Sequence, residues 1–123
     1  MTMKLALSIF RPLSLVLIIS ALSSQLFAQS ENEQSPVDGV SFRFVESNGI
    51  TMRIAEMGKS GPLLLLAHGW PESWYSWRHQ IVSLANAGYR VVAPDMRGFG
   101  ESEAPPNVDD YDVMHTSADL VGI

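Results

Sequence analysis

The segment His68-Gly69-Trp70-Pro71 combines residue types and a spacing that could carry chemistry. Gly69 lets the backbone turn sharply and approach another group closely. A backbone N–H held at such a turn can face the negative charge that develops on oxygen in acyl transfer, where a donor of this kind contributes about 3 kcal/mol. Pro71 lacks an N–H, and a cis bond before it would fix the direction of the Trp70 amide. The alternative is an ordinary strand-to-helix turn in which a buried His68 bonds the neighbouring loop.

A second loop, residues 94–104, is rich in glycine and acidic residues. Asp95 and Arg97 are expected to pair and hold the turn, and Gly98 and Gly100 permit unusual values of φ. Gly98-Phe99-Gly100 lacks the third glycine of a dinucleotide-binding fingerprint, and no phosphate-loop lysine follows it. A structural role for this loop is therefore favoured over a catalytic one.

Other chemistries find little support in the sequence. There is no Gly-x-Ser-x-Gly elbow, and Ser102 lies in a loop of the wrong type for a nucleophile. The three histidines lack metal-ligand spacing, and the aspartates at 109, 110 and 112 lack the spacing of a calcium loop. The absence of cysteine excludes disulfides and thiolate chemistry, and the net charge of −5 argues against a nucleic-acid partner. Neither a metal nor a cofactor is expected.

Secondary-structure elements must hold these two loops in place, and the first predicted element is a β-hairpin. Residues 40–45 and 50–55 each alternate apolar and polar side chains, which predicts two strands. Asn48-Gly49 between them predicts a type I′ turn, because both central residues of that turn have positive φ. The continuously apolar Leu63 to Ala67 is typical of a strand buried on both faces in a parallel sheet.

A helix and a further strand follow the first loop. Apolar residues recur at spacings of three and four from Trp74 to Leu84, which predicts an amphipathic helix with Ser73 as N-cap and Gly88 just past its end. Residues 89–93 form another apolar strand, and Val113 to Ile123 the start of a second helix capped by Asp112. In such an α/β arrangement, function lies in the loops after the carboxyl ends of the strands, here residues 68–73 and 94–104.

The N-terminal residues are typical of an export signal. Lys4 and Arg11 come first, the apolar run Leu13 to Leu22 follows, and the small Ala28 precedes Gln29. This order predicts a signal peptide over residues 1–28 and a secreted or periplasmic protein without a stable membrane span after cleavage. An uncleaved anchor is the alternative, but the run is short against the ~20 residues that span a bilayer. Residues 29–39 are predicted to be a flexible mature N-terminus, and residues 40–123 a partial domain.

Two runs of this chain together resemble the α/β-hydrolase fold. Residues 63–80, LLLLAHGWPESWYSWRHQ, resemble the third strand, the His-Gly-x-Pro loop and the first helix of that fold. Residues 88–105, GYRVVAPDMRGFGESEAP, resemble its fourth strand and the loop after it. Within the fold, the soluble epoxide hydrolases are the most similar. The resemblance implies the N-terminal part of the fold: an antiparallel hairpin, then strand-helix-strand and the start of a further helix.

The resemblance also implies a mechanism. In that family an aspartate attacks an epoxide carbon to form an ester, and a histidine-activated water hydrolyses the ester to a diol. The backbone N–H of Trp70 would stabilise the oxyanion of the second step. The family usually has Phe at this position, so Trp70 keeps the amide and is expected to narrow the pocket mouth. The other residues of both loops would shape the site: His68, Gly69, Pro71, Asp95, Arg97, Gly98 and Gly100.

The family's nucleophile elbow, cap, acidic partner and catalytic histidine would lie beyond Ile123. The chain is therefore expected to be truncated before the elbow, catalytically silent by itself, and to leave Leu63 to Ala67 as an open apolar edge that favours aggregation. The expected substrate of the parent enzyme is a small epoxide or a similar molecule. A dehalogenase or serine esterase of the same fold, a secreted binding protein and a non-catalytic truncated product are the alternatives.

Overall fold

A computed structural model describes residues 34–123. The predicted signal peptide, residues 1–28, lies outside the described residues. The elements in chain order are β1 (Ser41–Ser47), β2 (Ile50–Met57), β3 (Leu63–Leu65), a 3₁₀ helix (Trp74–Trp77), α1 (Arg78–Asn86), β4 (Arg90–Pro94), a second 3₁₀ helix (Val108–Tyr111) and α2 (Val113–Val121). The predicted hairpin, the strand-helix-strand unit and the further helix are all present.

The hairpin turn forms as its sequence predicts. Asn48 has φ of 48° and Gly49 has φ of 78°, so both central residues lie in the left-handed region that a type I′ turn requires. The turn sets an antiparallel register in which Ser47 pairs with Ile50 and Val45 with Met52.

The four strands form one sheet in the order β1-β2-β4-β3. β2 pairs antiparallel with both β1 and β4, whereas β3 pairs parallel with β4. β2 and β4 are thus the inner strands. Both faces of β2 are covered along much of its length, and Arg53 and Ala55 are buried together with Met52 and Ile54.

The prediction that Leu63 to Ala67 is buried on both faces is wrong. The strand spans only Leu63–Leu65, Leu63 is 51% exposed, and Ala67 is exposed. The physical reason is the strand's position, because among the described residues β3 has a partner on one side only and its other side faces solvent. The expected open apolar edge is therefore confirmed within residues 34–123.

The main core lies where α1 and its 3₁₀ extension pack against the sheet. Trp74 is buried and its ring meets Phe42 edge-on at 4.9 Å between centroids. Trp77 is half-buried and packs against the same core, so both tryptophans of the predicted amphipathic helix contribute to it. The cluster of buried apolar residues comprises Val40, Phe42, Ala55, Trp74, Ile81, Val91 and Ala93.

The predicted helix ends are also confirmed. The Ser73 hydroxyl accepts a hydrogen bond from the Tyr75 N–H, and Gly88, with φ of 94°, follows the end of α1. The predicted first helix is split, because its first turn is 3₁₀ and the α-helix begins only at Arg78. Asp112 caps α2 by accepting the His115 N–H at 2.8 Å.

The segment just before β1 forms a turn. The Val40 N–H donates to the Val37 carbonyl at 3.2 Å, and Val37 is partly buried against the core. The flexibility of residues 29–39 stays a prediction. Between residues 34 and 123, no helix has both the length and the apolar character needed to cross a membrane.

Candidate active site

The two predicted loops meet at the carboxyl ends of β3 and β4. The Met96 N–H donates to Nε2 of His68 at 2.9 Å, and the Trp74 N–H donates to Oδ1 of Asp95 at 3.0 Å. Parallel strands end at the same edge of a sheet, which brings the two loops together as the sequence predicts. The meeting place is the candidate active site.

Trp70 stands at the outer side of this site. Its side chain is 83% exposed, and no acceptor among residues 34–123 takes its backbone N–H. The Trp70–Pro71 peptide bond is cis. Gly69 has no positive φ, and an added Cβ there would meet no atom within 4 Å, so the described residues give no reason for glycine at this position.

His68 bridges the two loops. Its ring is buried, its Nε2 accepts from Met96, and its Nδ1 lies 2.9 Å from the Gly69 carbonyl oxygen. The ring of Phe99 packs edge-on against it at 5.4 Å between centroids. The expectation of a buried histidine that bonds the neighbouring loop is confirmed.

Asp95 holds several parts of the second loop through its buried carboxylate. Besides the Trp74 N–H, it accepts the Glu101 N–H at 3.4 Å and lies 3.9 Å from Nη1 of Arg53. Gly100, with φ of 54°, passes so close that an added Cβ would overlap the Asp95 carboxylate. Glycine at position 100 therefore lets the loop fold around Asp95.

The predicted pair between Asp95 and Arg97 is wrong. The Arg97 guanidinium instead donates from Nε and Nη2 to the two carboxylate oxygens of Asp119, at 2.9 and 2.7 Å. The physical reason is that Asp95 is committed to backbone N–H groups at the start of the first 3₁₀ helix and in its own loop. Arg97 is thereby directed to α2, and both members of the pair are buried.

The hairpin turn joins this buried pair. Asn48 donates from Nδ2 to Oδ1 of Asp119 at 3.0 Å, and the Ser47 hydroxyl donates to the Asp119 carbonyl at 2.6 Å. Gly98, with φ of 78°, lies against the ring of Tyr111, so a side chain there would collide with it. The second loop, the hairpin turn and α2 are thus fastened to one another around Asp119.

The pair shifts the pKa of both of its members. Burial of Asp119 opposes ionisation, but hydrogen bonds from Arg97 and Asn48 outweigh it, so the pKa of Asp119 lies below its usual value. The hydrogen bond to Asp119 raises the pKa of Arg97. Both groups are therefore charged at neutral pH.

The lowered pKa of Asp119 predicts a loss of stability in acid. Its carboxylate stabilises the fold above the unfolded pKa of about 3.9, and this contribution is lost as pH falls through the lower folded-state pKa. The free energy of unfolding of the unsubstituted chain should thus fall more steeply below about pH 4 than that of Asp119→Asn. Urea unfolding over a pH series measures both curves, and parallel curves would contradict the assignment.

Two buried charges escaped the sequence reasoning. Arg53 lies 3.8 Å above the Phe42 ring and 3.0 Å from Oε1 of Glu101. The alternation of residues 50–55 places Arg53 on the face opposite Met52 and Ile54, which is expected to meet solvent, so no local signal marked its burial. For Asp119 there was likewise no local signal, because Ala118 and Leu120 do not share its face of the helix.

Ser102 also has a structural role. Its hydroxyl donates to the Asp95 carbonyl at 2.6 Å and accepts the Arg53 N–H at 2.9 Å, which ties the second loop to β2. Within residues 34–123, no group of three or more histidine, aspartate or glutamate side chains could hold a metal ion.

This chain is similar to a known protein family and to several known proteins. The family described as alpha/beta hydrolase fold matches residues 62–123. Epoxide hydrolase 2 of Siraitia grosvenorii is 52% identical over 79 residues, which are 64% of this chain and 25% of that protein. Epoxide hydrolase A of Mycobacterium tuberculosis is 52% identical over 82 residues, which are 66% of this chain and 26% of that protein.

A solved structure gives the same result. The crystal structure of epoxide hydrolase VrEH1 from Vigna radiata matches with a TM-score of 0.68 and 50% sequence identity, over 72% of this chain and 28% of that one. This chain therefore spans about a quarter of the length of the relatives that it matches.

Proposed function

Because this chain belongs to the α/β-hydrolase fold family, we propose that it supplies the oxyanion-binding part of an epoxide hydrolase. The proposed reaction has two steps: an aspartate opens the epoxide to give an enzyme ester, and water hydrolyses that ester to a diol. Sequence identities of 52% to two epoxide hydrolases support this class of substrate. No side chain within residues 34–123 is assigned as the nucleophile.

The Trp70 N–H is the observation that carries the proposal. It lies at the carboxyl edge of the parallel strands, in a loop held on both sides, and no acceptor in the described part of the chain occupies it. Attack of water on an ester gives a tetrahedral oxyanion, which a fixed N–H stabilises more than it stabilises the ester itself. The proposed role is therefore in the second step.

The surrounding contacts support a donor held in place before the reaction. Asp95 fastens the start of the helical segment after Trp70, and His68 joins the Trp70 loop to the loop after β4. Arg97 and Asp119 fasten that second loop to α2. A donor fixed in this way needs little reorganisation when charge develops on the substrate oxygen.

A chimera tests the proposal. The 123-residue chain alone should form no diol from styrene oxide. The segment of Mycobacterium tuberculosis epoxide hydrolase A that matches this chain is replaced by this chain's own residues, and the chimera should form diol. Replacing Trp70 by its α-hydroxy acid analogue turns the N–H into an ester oxygen and keeps the indole. Hydrolysis of the enzyme ester should then slow about 10²–10³-fold.

The matched control is Trp70→Phe, which changes the side chain and keeps the N–H. It should retain the rate of ester hydrolysis, and mass spectrometry of the quenched enzyme should show ester accumulating only in the hydroxy-acid variant. A folded chimera without diol formation would count against the epoxide hydrolase. Equal ester hydrolysis with and without the N–H would count against the role of Trp70.

We further propose that the protein is exported. Lys4 and Arg11, the apolar run after them and the small Ala28 support a cleaved signal peptide. N-terminal sequencing of protein recovered outside the cytoplasm should begin within a few residues of Gln29.

A further inference from the structure

We infer that His68 is a positioning residue that sets the direction of the Trp70 N–H through the Gly69–Trp70 peptide plane. The inference deepens the proposed function, on which it rests for identifying that N–H as the oxyanion donor. Its evidence is the pair of hydrogen bonds made by one buried imidazole ring.

The two bonds assign the tautomer of His68. The Met96 N–H can only donate, so Nε2 of His68, at 2.9 Å from it, carries no proton. The Gly69 carbonyl can only accept, so Nδ1, also at 2.9 Å, carries the proton. The ring is thus neutral with Nδ1 protonated, and each nitrogen has one partner.

The carbonyl that His68 holds belongs to the same peptide unit as the Trp70 N–H. A peptide unit is planar, and in the trans form the C=O and the N–H point in opposite directions. The Gly69–Trp70 peptide bond is trans, whereas the following Trp70–Pro71 bond is cis. Fixing the Gly69 carbonyl therefore fixes the Trp70 N–H on the other side of the plane.

Only one of the two donors to this carbonyl is attached to backbone that hydrogen bonds fasten to the sheet. The Glu72 N–H also donates to the Gly69 carbonyl, at 3.0 Å, but Glu72 lies in the same loop and moves with it. The His68 side chain starts two residues after Leu66, whose backbone N–H donates to the Val92 carbonyl of β4 at 2.9 Å, so this donor is attached to backbone that is fastened to the sheet. His68 thus fixes the orientation of the Gly69–Trp70 peptide plane relative to the sheet.

Two substitutions of His68 each remove one of its two hydrogen bonds, to the Gly69 carbonyl or to the Met96 N–H, and keep the other. His68→Asn places an amide N–H near the position of Nδ1, so it keeps the donor to Gly69 and loses the acceptor for Met96. His68→Gln places an amide oxygen near the position of Nε2, so it keeps the acceptor and loses the donor. Each variant gives up one hydrogen bond, so a merely structural role predicts similar effects from both.

The experiment is ¹⁵N NMR on the full 123-residue chain carrying Leu63→Lys, which opposes association through the exposed edge of β3. The imidazole spectrum should show His68 protonated at Nδ1. The order parameter of the Trp70 N–H should be about 0.85 with His68 and with His68→Asn, and below about 0.6 with His68→Gln.

Protonation at Nε2 would overturn the inference, and that measurement needs no variant to fold. Equal order parameters for the two variants would overturn it as well. None of these readouts involves an epoxide, so a chimera that forms no diol would refute the proposed function and leave the positioning result standing. Conversely, a negative NMR result leaves diol formation by the chimera unaffected.

Discussion

Replacing Asp119 by alanine should lower the free energy of unfolding by about 3–5 kcal/mol. The substitution leaves the Arg97 guanidinium, which is 3% exposed, without its carboxylate in a place that water does not reach. It also removes an acceptor of Asn48, which loosens the hairpin turn from α2. Because a small domain is stable by only about 5–15 kcal/mol, this loss is a large share of its stability. Urea unfolding followed by tryptophan fluorescence measures the change.

The matched control is Asp109→Ala, which removes the same charge from an exposed site just before α2. It should change the free energy of unfolding by less than about 0.5 kcal/mol. A double replacement, Arg97→Met with Asp119→Leu, should recover most of the loss, because no uncompensated charge is then buried. Equal losses for the alanine variants at 109 and 119 would contradict the buried pair.

Leu63→Lys should convert an associating chain into a monomer. Leu63 is 51% exposed on β3, whose outer side offers backbone N–H and C=O groups without a strand partner in the described part of the chain. A lysine at such an edge opposes pairing with a second copy, because it would have to be buried there. Sedimentation velocity over a concentration series should show larger species for the unsubstituted chain and a single monomer for the variant.

Val108→Lys is the control for charge. Val108 is 87% exposed in the second 3₁₀ helix, outside the sheet, and its replacement adds the same positive charge. Both lysines reduce the magnitude of the net charge of −5, which by itself favours association. If only Leu63→Lys increases the monomer fraction, the unsubstituted chain associates through the exposed edge of β3. Identical behaviour of the two variants, or an unsubstituted chain that is monomeric at every concentration, would refute edge pairing.

Local signals predicted the parts of the fold that depend on near neighbours. Asn48-Gly49 determines a turn through the φ values of two adjacent residues, and Ser73 and Asp112 cap helices two or three residues ahead of them. The meeting of the two loops was also predictable, since parallel strands end at a common edge. These features need no knowledge of the distant chain.

The errors arose where the outcome depends on distant partners. The run from Leu63 to Ala67 is apolar, but the burial of these side chains also depends on how many strands flank β3. Arg97 and Asp119 are 22 residues apart, and only the packing of α2 against the hairpin turn brings them together.

The inner position of β4 has a consequence for synthesis on the ribosome. The chain emerges N-terminus first at about 5–20 residues per second, and β1 can pair with β2 soon after Met57 appears. Leu63–Leu65 has its described partner in β4, which appears later, so these leucines remain uncovered in the nascent chain for on the order of seconds. Substitutions that slow elongation between residues 66 and 94 would lengthen that interval, and a chaperone that binds short apolar segments would find its target there.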